Sequence, residues 1–319
     1  MEIQKMGHEK WVNTFASIET SLFNRPDFIH TIALAYQKQI TWYVVSDKDA
    51  VLFSIPIYHS GRDASLVTHF FYQAIIIHQE FPEIKLLESW KELIVVLKSD
   101  FDHIEFKFAP YVKDIRPFLW ADFEHSTRYT SIVYLATFPN YSENVTRSLK
   151  KAHKHNLSVN NLTFDQETVS MQILDMKKYG LGPKHAKRFN SWFSSLSELQ
   201  NTRVFQLVDE ESSIIGSSLF LYDKHSAYLI ATMGGKDSSG GQAYLYDQAF
   251  NYFKELGISE VDLLGANIPS VALYKSKLGG VVEPYFMVSY HKHKFIADLT
   301  QKGKNVAKGM LKSLRIINK

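Results

Sequence analysis

The sequence predicts an α/β (α+β) chain built as two similar halves. Two observations predict the halves, and a third places the chemistry in the second. "VVSDKDAVLFSIPIYHSG" (Val44–Gly61) matches "LVDEESSIIGSSLFLYDK" (Leu207–Lys224): each is an apolar run, an acidic turn and a second apolar run, a hairpin pattern. "SWKELIVVLKSDFDHIEFKF" (Ser89–Phe108) matches "YDQAFNYFKELGISEVDLLG" (Tyr246–Gly265): each is an amphipathic helix, a short turn and a strand. Aligning Asp47 with Asp209 sets an offset of 162 residues, and aligning Glu105 with Asp262 one of 157. Two matches at nearly one offset mark a duplicated unit of about half the chain. The third observation is "GGKDSSGG" (Gly234–Gly241), which holds four of the chain's 15 glycines between an apolar segment and a helical pattern.

The elements follow in order. The halves join at the turn-rich "TFPNYSEN" (Thr137–Asn144), which divides the chain into an N-terminal half 1–138 and a C-terminal half 139–291. Ser142 is placed to cap a helix carrying Arg147, Lys150, Lys151 and Lys154. A second helix is expected over Thr168–Tyr179, broken by "GLGP", and a third over Lys184–Leu199. Four strands should follow, then the glycine loop and its helix. After these come a strand at Val261–Leu264, a short helix at Pro269–Leu278 and a strand at Pro284–Tyr290. Residues 292–319 form a basic tail, with seven lysines and Arg315 against Asp298. Val306, Met310, Leu314 and Ile317 recur at helical spacing in it, so it reads as a helix, either docked on the chain or resting on an anionic membrane surface.

Composition excludes several chemistries. The chain has 319 residues, 45% hydrophobic and 22% charged, which supports a packed core rather than disorder. A net charge of +3 is too weak to argue for nucleic acid by itself. With no cysteine there is no disulfide, thiolate nucleophile or cysteine–zinc site, which fits a cytoplasmic setting. The first residues show no signal-peptide pattern, and no apolar run approaches a membrane span. His153 and His155 do not share a helical face, and His291 and His293 are interleaved with lysines, so no metal site is expected. No Gly-x-Ser-x-Gly elbow occurs.

The glycine loop carries the positive signal. A strand that ends in glycines and opens a helix offers free N–H groups and a positive dipole end to an anion, and glycine lets a phosphate approach the backbone. The segment lacks the Gly-Lys-Ser/Thr ending of a P-loop and the Gly-x-Gly-x-x-Gly of a dinucleotide fold.

"NIPSVALYKSKLGGV" (Asn267–Val281) resembles the late motif of the GNAT N-acyltransferase superfamily, with Ala272, Leu273, Tyr274, Lys277 and Gly279 in matching places. "SSGGQA" supplies Gly241 and Ala243 of that family's loop motif, with Ser238 where the family has Gln or Arg and Lys236 two residues earlier. The order "RSLKKAHKHNLSV", "GGQAYLYDQAF", "VDLLGANIPSVALYKSKLGG" is similar to the tandem branch that includes the Fem-type peptidyltransferases, and "LFNRPDFIH" and "FFYQA" add short N-terminal matches.

The resemblance implies two tandem GNAT-like halves, each a mixed, mostly antiparallel sheet flanked by helices. It implies an acyltransferase moving an acyl group from acyl-CoA, acetyl-CoA being the simplest donor, to the amine of a small molecule or peptide. The alternatives it leaves are Fem-type aminoacyl transfer from aminoacyl-tRNA to a cell-wall precursor, or a binding protein that keeps the fold without the chemistry. Tyr274 would protonate the departing thiolate, and Asn267 would orient the donor or simply cap the helix ahead of Pro269. Met233, Gly234, Lys236, Ser239, Gly240, Gly241, Gln242 and Ala243 would hold the donor. Phe71, Tyr72, Gln73, Arg147 and Lys150 would contact the acceptor. Two residues stand as candidate bases, His225 and Asp262; for Asp262 the strand pattern also allows a solvent-facing position.

Overall fold

The computed structural model describes residues 1–15, 21–66, 72–178, 182–196, 201–234 and 240–293. The elements of the first half are β1 (Glu2–Gly7), α1 (His8–Phe15), α2 (Pro26–Tyr36), β2 (Gln39–Asp47), β3 (Ala50–His59), β4 (Asp63–Ser65), β5 (Ile76–Ile77), α3 (Glu83–Asp100), β6 (His103–Lys107), α4 (Arg116–Trp120) and β7 (Glu124–Tyr134). The second half holds α5 (Glu143–Lys154), β8 (Ser158–Leu162), α6 (Gln166–Lys178), α7 (Pro183–Leu196), β9 (Thr202–Val208), β10 (Ile214–Tyr222), β11 (Ser226–Met233), α8 (Gly241–Glu255), β12 (Glu260–Asp262), α9 (Pro269–Lys277) and β13 (Val281–His291).

The duplication is visible in this order. Each half runs hairpin, strand, long helix, strand, short helix, strand: β2-β3-β4-α3-β6-α4-β7, where the two-residue β5 is added between β4 and α3, then β9-β10-β11-α8-β12-α9-β13. Both acidic hairpin turns bend through positive φ, at Lys48 (55°) and Ser212 (62°). The strand after each long helix pairs in parallel with the strand that follows the hairpin, β6 with β4 and β12 with β11. Every other pairing is antiparallel. Parallel neighbours need a crossover, and α3 and α8 supply it.

The closing strands are exchanged. The large sheet has the order β4-β6-β13-β7-β12-β11-β10-β9-β8, and a second sheet the order β1-β2-β3-β5. β13 pairs with β6 of the first half, β7 pairs with β12 of the second, and the two pair with each other from Val281↔Ile132 to Ser289↔Glu124. One nine-stranded sheet therefore runs through both halves. Three apolar clusters follow. One packs α3 against β2, β3 and β6, one packs α8 under β9–β12, and the third lies between the halves, where Trp42 stacks on Trp11 and meets a layer that includes Phe189, Trp192 and Tyr228. A buried aromatic side chain contributes about 2–3 kcal/mol, so these layers dominate the stability.

Several expectations need correction. The four strands expected before the glycine loop are three, β9 to β11; the further strand, β8, precedes α6. Its sequence Ser158–Leu162 is polar and mostly exposed, so nothing but pairing with β9 marks it. Ser142 does occupy the N-cap of α5, but its hydroxyl makes no capping bond. The proposed helix of the basic tail lies outside the described residues. Among the described residues no helix is long and apolar enough to cross a membrane.

Candidate active site

β11 and β12 pair only over Ser226–Tyr228 and Glu260–Asp262. Beyond Tyr228, β11 keeps β10 on one edge, Ser217 opposite Met233, and among the described residues has no strand on the other. The chain after Asp262 turns toward β7 instead: the N–H of Leu263 bonds the carbonyl of Ser131, and that of Ala266 bonds Tyr129. The two strands thus splay and open a backbone edge over Leu229–Met233.

Asn267 helps hold the splay open. Its amide accepts from the Tyr129 N–H at 3.0 Å and donates to the Tyr129 carbonyl at 3.1 Å, extending the pairing with β7 by a side chain. It does not cap α9; Ile268 holds that position. Lys275, on α9, holds the bend from the other side. Its ammonium donates to the carbonyls of Leu263 (2.8 Å), Leu264 and Gly265 (2.9 Å), where Leu264 and Gly265 turn through positive φ. Burial pushes this amine down to about 8, with Asp262 pulling the other way. Sequence reasoning missed Lys275, because its partners lie ten and more residues upstream and become neighbours only through the bend.

At the end of β11 a polar cluster faces α8. Thr232 accepts bonds from Gln242 and Tyr246, each at 3.2 Å. The Tyr274 ring lies 6.2 Å from that of Tyr246. Three buried polar atoms here find no partner among the described residues: Ser218 Oγ, Gln242 Oε1 and the Tyr274 hydroxyl. Ser218 is the register partner of Thr232. Buried polar atoms are rarely left unpaired without a reason, and a ligand is one such reason. Burial pushes the Tyr274 hydroxyl well up, so it stays protonated at neutral pH. α8 begins at Gly240, whose φ of +85° suits glycine; a Cβ there would lie 2.2 Å from the Ser148 carbonyl of α5. Of the donor residues named from sequence, Met233, Gly234, Gly240, Gly241, Gln242 and Ala243 gather at this end, Ala243 buried in the α8 core. Lys236 and Ser239 lie outside the described residues, as does Phe71.

On the other side of Asp262 lies a cavity of about 570 Å³ between the halves. Tyr72, Gln73, His225 and Asp262 all line it. Gln73 is tied into the fold, its amide donating to the carbonyls of Pro56 and Ala74. His225 is exposed on the turn before β11. Arg147 and Lys150 are not among the lining residues; they sit exposed on α5, beside the start of α8.

Asp262 does not face solvent. It is 2% exposed, and its carboxylate accepts from the Tyr72 hydroxyl (2.9 Å), the Leu264 N–H (2.8 Å) and the Thr130 hydroxyl. Burial lifts it to about 6, against the opposing pull of those bonds and of Lys275. Asp262 therefore stands both in the cavity wall and at the last paired position of β12, where the strands begin to splay. No cluster that could hold a metal ion occurs among the described residues.

No family model matches the sequence, and no curated protein matches it. Solved structures do. FemX matches with a TM-score of 0.64 at 10% identity, covering 94% of this chain and 99% of FemX. The tandem GNAT protein from the clavulanic acid biosynthesis pathway matches with a TM-score of 0.52 at 10% identity, covering 91% of this chain and 99% of that one. The chain has a tandem GNAT-like fold. L-PGS from Bacillus licheniformis shares the tandem GNAT-like architecture at a TM-score of 0.51 and 14% identity, over 89% of this chain and 91% of L-PGS. In the tandem GNAT-like frame the splay of β11 from β12 belongs to the second half, and the cavity lies where the halves meet.

Proposed function

We propose that this chain transfers an acyl group from a coenzyme A thioester to a primary amine. The observation that carries the proposal is Asp262, a buried carboxylate near pKa 6 set between a cavity large enough for a small acceptor and a splayed pair of strands. The acceptor enters the cavity as an ammonium, and Asp262 takes its proton. The freed nitrogen attacks the thioester carbonyl, the C–S bond breaks as Tyr274 gives its proton to the departing thiolate, and the second proton that the nitrogen sheds on becoming an amide restores the Tyr274 hydroxyl. The donor lies along the open edge of β11, with its pyrophosphate at the start of α8. Holding both partners on one carboxylate's two sides supplies proximity.

The first test is a thermal-unfolding scan with acetyl-CoA. Donor at a hundred times its dissociation constant adds about 2.7 kcal/mol, a rise of roughly 4 °C for a chain this size. No shift at millimolar acetyl-CoA overturns coenzyme A as the donor.

Tyr274→Phe is expected to cut turnover at least about tenfold. It should leave the melting temperature unchanged or slightly higher, since the lost hydroxyl has no partner to leave behind. Full activity in this variant removes Tyr274 from the mechanism.

One observation favours a second donor. The basic face of α5, Arg147, Lys150, Lys151 and Lys154, flanks the start of α8, where Gly240 packs on Ser148. An aminoacyl-tRNA would use such a face. Its binding would weaken steeply with salt, whereas acetyl-CoA binding would change little.

A further inference from the structure

The inter-half cavity also carries the chemistry of its acceptor. Resting on the acceptor site proposed above, we infer that the cavity takes an aliphatic diamine: one amine reacts at Asp262 while the second is held as an ammonium by Glu260 and Glu283. Glu260 and Asp262 stand two residues apart on β12 and both line the cavity, with Val261 between them buried in the opposite core. Residues i and i+2 of a strand share a face at a spacing of about 6.6 Å. An unbranched spacer of roughly four or five carbons covers that span.

The charge balance supports a cation. The Oε1 of Glu260 accepts from Ser226 Oγ at 2.9 Å, and Glu260 has no cationic partner among the described residues. Glu283 meets Lys113 at 3.8 Å, but that lysine is 68% exposed at the rim. Both carboxylates converge on Tyr134, whose hydroxyl is pushed up by burial and then by Glu283, Glu260 and Asp262. Of the other cations in the lining, the Arg25 guanidinium is taken by Asp27 and Asn201, and Lys224 is exposed with an interaction of its own. Aromatic walls, Phe23, Tyr72 and Tyr134, add faces that attract an ammonium and repel an anion. An acceptor bearing phosphate or carboxylate near its amine would meet Glu260 unpaired and is rejected.

Calorimetric titration of the full chain, without donor, tests the inference with three ligands of matched length: cadaverine, pentylamine and aminovalerate. Cadaverine should bind at least about tenfold more tightly than either of the others. Glu260→Gln should abolish that preference while leaving pentylamine affinity unchanged, and Glu283→Gln should reduce it by a smaller factor. Equal affinity for the three ligands, tighter binding of aminovalerate, or an intact preference in both variants overturns the inference. The acetyl-CoA scan is scored separately. Diamine selectivity without donor binding would sink the transferase reading and leave the diamine site standing. Donor binding with acetylation of monoamines and diamines alike would do the reverse.

Discussion

Asp262→Asn should abolish most of the activity and stabilise the protein at the same time. The carboxylate is lifted from 3.8 to about 6 by burial, a difference worth roughly 3 kcal/mol. The sign follows from proton counts. Below pH 3.8 the carboxyl is protonated both folded and unfolded and contributes nothing. Between 3.8 and about 6 the folded chain binds the extra proton, so stability falls as pH rises, and above 6 the full cost is present. Asn keeps an acceptor for Thr130 and the Leu264 N–H, and the Tyr72 hydroxyl can turn to accept from its amide. The variant should therefore melt several degrees above the wild type at pH 7.5, with the gap closing toward pH 4. Turnover should fall by about 10²- to 10⁴-fold, the range for loss of a general base. The wild-type rate should rise with pH through an inflection near 6, and the variant's should not. A variant that is both less stable and fully active at neutral pH would show Asp262 to be a packing residue.

Lys275→Met is the second large effect, in the opposite sense on stability. It strips donors from three successive carbonyls, Leu263, Leu264 and Gly265, at a backbone bend of positive φ. Each buried carbonyl left unpaired costs about 1–3 kcal/mol, partly offset by the removal of a half-buried charge. A net loss of about 2–4 kcal/mol, read as a fall of roughly 3–6 °C in melting temperature, is expected. Because the bend separates β12 from β11, acetyl-CoA binding should weaken as well. Thr232→Val, at the far end of β11, provides the contrast, since it removes a hydroxyl while leaving the bend in place. Wild-type stability in Lys275→Met would mean that the carbonyls find other donors.

Much of the fold was legible. The hairpins β2–β3 and β9–β10 announce themselves by apolar runs around acidic turns, and α8 and α9 by apolar spacing with Gly240 and Pro269 at their starts. These are local signals, set by dihedral preference and side-chain period. β8 was not legible, because an exposed edge strand needs no apolar alternation. Asp262 was flagged from its place in a strand, but not its burial: that depends on Tyr72, 190 residues away in sequence, and on Thr130, 132 away. Lys275 sits in the motif beside Tyr274, yet nothing local separates it from the exposed Lys277.

The sequence by itself determined the two halves, their element types, the glycine-rich entry to α8 and the residues that the proposed donor site draws on. Tertiary structure alone decided the exchange of β7 and β13. Neither closing strand carries a local mark of the half it pairs with, and only the free edges of β6 and β12 select its neighbours. That exchange welds the halves into one sheet and brings Thr130 of β7 against Asp262 of β12. The cavity wall follows from the same step, because Tyr134, Glu260 and Glu283 come from three strands that are adjacent only after pairing. Strand pairing is a choice among distant edges, made by the sum of backbone bonds and buried area, and no window of sequence contains it.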